Sequence, residues 1–168
     1  MALPFLEPEL DIHANLATVI IIVESLCQTK RGKLTLNNGK LHAYLYLVQN
    51  PVVCNQFLNS LGKSSVILDY QDTFSVNTLA PNFDALFDRE SVKALLTILV
   101  ANKLLEIIYK KKGGFFYKLT SLGVEAAAKL TDDYFYNIRL ICQSLYDVQS
   151  LSENKINQTL NQVIKKGI

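Results

Sequence analysis

Between Asp88 and Leu130 the spacing of the apolar residues changes from helical to strand-like and back, and this passage constrains the fold more than any other. From Val92, apolar residues recur at i+3, i+4, i+7 and i+8 (Leu95, Leu96, Leu99, Val100), the one-faced pattern of a helix, and Asp88 is placed to cap it through Ser91. Asn102-Lys103 ends that helix. Leu104 to Tyr109 then reads as a strand, Lys110 to Gly114 as a basic, glycine-containing turn, and Phe115 to Leu119 as a second strand. Thr120 caps an alanine-rich helix, Ser121 to Leu130. A hairpin enclosed by two helices is the expectation.

Helix, strand, basic turn, strand, helix is the order found at the tail end of a winged-helix unit with its wing. Upstream, Ile12, Leu16, Val19, Ile20, Val23, Leu26 and Cys27 predict a helix with one deeply buried face, stopped at Lys30-Arg31-Gly32-Lys33. A second helix follows Asn37-Asn38-Gly39. Pro51 opens a third, Pro51 to Leu61, which Gly62 closes. Val66 to Tyr70 and Phe74 to Leu79 read as short strands. The chain finishes with helices from about Asp132 to Gln149 and after Ser150-Leu151-Ser152-Glu153, where Ser150 and Glu153 have capping-box spacing. The fold class is mainly α (α+β): a winged-helix-like domain with a small hairpin wing and extra helices at both ends. Its organisation is a helical lobe over 1–63, a connection over 64–87, the winged-helix-like unit over 88–130 and terminal helices over 131–168.

With 168 residues, 49% of them hydrophobic, the chain can build a core without disulfide or metal staples. Only 19% are charged, low for a soluble chain, so part of the apolar surface is expected to be hidden in partners. Leu16 to Val23 is too short to span a membrane, and the acidic residues Glu7, Glu9 and Asp11 are the reverse of a secretory leader. Cys27, Cys54 and Cys142 are scattered and odd in number, which reads as reduced, buried cysteine in a cytoplasmic protein.

Catalytic groups are scarce. His13 and His42 are the only histidines, and each reads better as a polar residue on a packed helix than as a general base. Nothing has the ligand spacing of a zinc site, and there is no phosphate-cradling glycine motif or nucleophile elbow. Gly113-Gly114 reads as a hairpin turn, and Asp132-Asp133 as carboxylates favouring a helix dipole. The reading is a non-enzyme with no catalytic residue, cofactor or metal.

Charge is segregated. Residues 30–63 hold five bases and no acid, and 91–118 hold six bases against Glu106. Lys110, Lys111 and Lys112, with Lys118 one strand later, sit where a wing would project. They read equally as sequence-blind phosphate contacts and as guards that keep an exposed hairpin unpaired. Lys30, Arg31 and Lys33 form a second DNA-contact candidate, for which a helix C-terminus is the simpler account. Tyr134, Phe135 and Tyr136 occupy consecutive helical positions, face several sides at once, and read as core plus partner interface.

The runs Leu36 to Pro51, Asn82 to Asp88, Leu104-Leu105-Glu106 and Leu119 to Gly123 resemble the middle components of bacterial three-component ABC systems, which are anti-phage defence cassettes including the Lamassu type. The resemblance covers about residues 11 to 130. It implies a winged-helix adaptor similar to the kite subunits of SMC complexes. Its partners would be an SMC-like ATPase with long coiled coils, an effector that is often a nuclease, and double-stranded DNA at the wing, in a hetero-oligomer without membrane contact. The rival reading is a stand-alone winged-helix transcription regulator, normally a dimer on a palindromic site.

Overall fold

A computed structural model of the chain describes residues 12–66 and 88–166. Within them, α1 (Ile12–Leu26), α2 (Asn38–Gln49) and α3 (Pro51–Ser60) precede α4 (Arg89–Ala101), the hairpin β1 (Leu105–Lys110) and β2 (Gly114–Leu119), then α5 (Ser121–Ala128), α6 (Asp133–Leu145) and α7 (Glu153–Lys166). The fold is α+β and mainly helical with one antiparallel hairpin, consistent with a winged-helix-like domain. The strands expected beyond Val66 lie outside the described residues.

Local chemistry explains most boundaries. The Asn37 side chain accepts a 2.9 Å bond from the Lys40 amide at the start of α2. Asp88 does the same for Ser91 at 3.1 Å in α4, and Thr120 for Gly123 at 3.1 Å in α5. Gly62, at φ +70°, ends α3 through amide bonds from Gly62 to the Asn59 carbonyl and from Lys63 to the Leu58 carbonyl. The hairpin register runs from Leu105 opposite Leu119 to Lys110 opposite Gly114. Gly113 and Gly114 turn the chain at φ +97° and +79°, and a side chain on Gly113 would strike the Phe116 ring.

Two expectations are corrected. The cap of α7 is Ser152, whose hydroxyl accepts from the Lys155 amide at 3.2 Å, rather than the Ser150 pairing that sequence spacing suggested. And α1 is buried on nearly every side rather than on one face. Ala17 through Val23 are all buried, because α2, α4, α5, α6 and β2 all pack on it. Helix α6 lies along α1, and α7 closes over α2 and α3, so one continuous core runs from Val19 to Val163.

Buried polar groups tie this core together. The Lys40 ammonium, drawn in from α2, donates to the Gln149 carbonyl at 2.9 Å. The Gln149 side chain in turn donates to the carbonyls of Leu26 (2.9 Å) and Gln28 (3.1 Å), closing the end of α1. Arg139 of α6 donates to the carbonyls of Leu130 (2.5 Å) and Ala127 (2.7 Å) and approaches Glu24 at 3.4 Å, fastening the end of α5 to α1.

Candidate functional site

The hairpin carries two unlike faces. Alternation along the strands puts Leu105, Ile107 and Tyr109 on one side with their partners Leu119, Tyr117 and Phe115, and Glu106, Ile108 and Lys110 on the other with Lys118, Phe116 and Gly114. Toward the base of the first face, Leu105, Tyr117 and Leu119 join the core. Its outer half does not: Ile107 is 48% exposed, Tyr109 66% and Phe115 59%, and the last two rings pack on each other with centroids 5.3 Å apart.

This face meets α4 in an open groove of about 580 Å³, with Leu96 and Val100 one turn apart on the helix wall and Ile107 and Tyr117 on the hairpin wall. Arg89, Glu90 and Lys93 border it. A smaller cleft of about 220 Å³ shares Asn38 and Arg89 with the groove and is of mixed character, lined also by His42, Asn157 and Asn161 and by Val92 and Leu160.

The structure separates the cations singled out in the sequence. Lys110, Lys111 and Lys112 are exposed at the wing tip. Lys118 is half-buried on the opposite hairpin face, across from Glu106, and its charge reaches the Cys27 thiol. Lys30, Arg31 and Lys33 stand on the turn after α1, beside a hollow of about 390 Å³, with the Lys30 ammonium 5.9 Å from the Tyr146 ring centre. Asn37 pairs antiparallel with Phe116, and the Tyr117 amide donates to the Leu36 carbonyl at 3.1 Å. The chain leading back to Lys33 therefore runs toward the Leu119 end of β2, away from the tip. The two basic clusters lie at opposite ends of that strand.

The three aromatics of α6 divide as their spacing requires. Phe135 packs against the core, whereas Tyr134 and Tyr136 are exposed, and the Tyr134 and Phe135 rings meet edge to face at 5.2 Å. The groove itself was not anticipated. Its signal in the sequence was faint: Ile107, Tyr109 and Phe115 are too apolar for an ordinary solvent face.

The cysteine thiols are shielded. Burial pushes the Cys54 and Cys142 thiols up to about 12, and the Tyr44 hydroxyl is driven well above its ordinary range for the same reason. Such thiols stay protonated and unreactive. Among the described residues no group of histidine, cysteine and carboxylate side chains could hold a metal, and no helix is long and apolar enough to cross a membrane.

Residues 26–158 match the family model for the ABC-three component (ABC-3C) system Middle Component 4. No curated protein and no solved structure matches the chain.

Proposed function

The chain belongs to the Middle Component 4 family of ABC-three component systems, and from that premise we propose that it is a non-catalytic adaptor holding a coiled-coil, SMC-like ATPase and an effector protein in one defence complex. A middle component of a multi-component system has partner proteins. The observation that carries the adaptor reading is that the match takes in α2 to α6 and the hairpin together, while the buried thiols and phenols supply no activated nucleophile.

The exposed side of α4, the helix that precedes the wing, argues against base reading. Its exposed hydrogen-bonding side chains are Arg89, Glu90, Ser91, Lys93 and Thr97, mostly in the first turn, and the rest of the helix is alanine, leucine, isoleucine and valine. The DNA contact proposed for this wing is to phosphate, through the tip lysines.

The test is co-expression of the tagged chain with its neighbouring gene products, followed by size exclusion with light scattering. A defined complex containing a coiled-coil ATPase is expected. A chain that elutes alone and binds a palindromic promoter as a dimer would replace the adaptor with the regulator.

A further inference from the structure

We propose that the groove between α4 and the outer half of the hairpin docks an amphipathic helix of a partner subunit, one whose apolar stripe is bordered by aspartate and glutamate. The proposal deepens the adaptor reading and rests on it. Two apolar walls face each other, Leu96 and Val100 against Ile107 and Tyr117. That geometry accepts side chains spaced one turn apart along a helix. Tyr109 and Phe115 extend the strip toward the wing tip, and aromatic anchors of this kind carry much of the energy in protein interfaces.

Charge selects the occupant. Arg89 and Lys93 border the helix wall, and Lys111 and Lys112 stand in the turn just beyond Tyr109 and Phe115, while Lys110 falls on the other face of the hairpin. Glu90 is the acid among the groove's lining residues, and Glu106 points to the other face of the hairpin. An acidic border on the incoming helix matches this surplus of cations. A second copy docking by two-fold symmetry would instead set the same cations against one another. DNA would be laid over the apolar walls of Leu96, Val100 and Ile107, which offer it no hydrogen bonds.

The experiment uses the full chain co-expressed with the neighbouring ATPase and effector. It compares wild type with the double variant Val100→Glu, Ile107→Glu and with Lys110→Glu, Lys111→Glu, Lys112→Glu. The substituted side chains are at least partly solvent-exposed, so melting curves of the isolated variants should overlay that of wild type. The double variant is expected to lose partner affinity by on the order of tenfold or more. The lysine variant is expected to bind more weakly, with a flatter salt dependence. If wild type captures no partner, the adaptor reading falls and the groove's occupant with it. If wild type assembles and the double variant assembles equally well, the groove proposal alone is overturned. It is equally overturned if the double variant abolishes only DNA binding, or only self-association of the isolated chain.

Discussion

Single side chains in this molecule are decided by what surrounds them more than by their own chemistry. Gly123 is a case where nothing larger fits. A Cβ there would overlap the Leu104 carbonyl oxygen, which is fixed backbone and already accepts the Thr120 amide at 3.1 Å. Gly123→Ala should therefore destabilise the fold by about 1–3 kcal/mol in urea unfolding. Gly39→Ala is the contrast, because the obstructing atoms belong to the mobile end of the Glu153 side chain, and a change within about 0.5 kcal/mol is expected. The buried thiols give a second prediction. Unfolded, Cys54 and Cys142 ionise near 9; folded, they do so only at about 12. Between those limits the unfolded chain holds fewer protons, so stability falls as pH rises, and Tyr46, raised from 10 to about 12, adds to the fall. Lys40, its pKa lowered by desolvation against the pull of Glu153, acts in the opposite sense below 10.5 but is a single group. Urea titrations under reducing conditions from pH 7 to 10.5 should show the decline, and Cys54→Ala, although less stable at pH 7, should show a shallower one. An unchanged slope in that variant would remove Cys54 from the account.

The ends of the elements repeat one device with different residues. In α4 the Leu104 amide returns to the Leu99 carbonyl and the Lys103 amide to the Val100 carbonyl, both at 3.0 Å, the same pair of bonds that ends α3. At α3 the left-handed residue is Gly62; at α4 it is Lys103, held at φ +60°. Lys103→Gly should accordingly stabilise the fold by up to about 1 kcal/mol, read as a higher urea midpoint with an unchanged slope. A lower midpoint would mean that the lysine stem contributes packing that outweighs its backbone cost. Features of this kind were legible in the sequence because they are local: Asp88 with Ser91, Thr120 with Gly123, Pro51 at the start of α3, and the paired glycines of the wing. Ser152 was hidden because Ser150 offers the same three-residue spacing to Glu153, and only the path of the chain out of the turn at Tyr146–Val148 decides between them. The wing lysines could be read as a run. The groove beside them could not, since alternation along β1 says that Ile107 and Tyr109 share a face but not that the described residues leave the outer half of that face uncovered.

At the scale of the whole molecule, the division of labour along the chain is not a division of the core. The segment from Asp88 to Leu130 carries its own caps and turn, but its hairpin takes the Leu36 carbonyl as an edge partner and its helices pack on α1. Helix α1, buried on nearly every side, depends in turn on α6, and the end of α1 is closed by Gln149. Nothing in the period of α1 revealed this. An all-apolar middle turn is equally the mark of a helix with one broad face, and the elements that cover it range from α2, close by in sequence, to α6, about a hundred residues downstream. The consequence is testable by truncation. A chain ending at Leu130 loses Arg139 from the end of α5, Gln149 from the end of α1, and the Ile156, Leu160 and Val163 side chains that α7 contributes to the core. Several large apolar side chains are each worth roughly 1.5–3 kcal/mol when fully buried, against a total stability of about 5–15 kcal/mol for a domain. The truncated chain is therefore expected to show no cooperative thermal transition by circular dichroism and to bind an apolar dye, while the full chain melts in one step. A cooperative melt of the 1–130 chain would show that the hairpin and the N-terminal helices form a domain of their own, with α6 and α7 an addition to it.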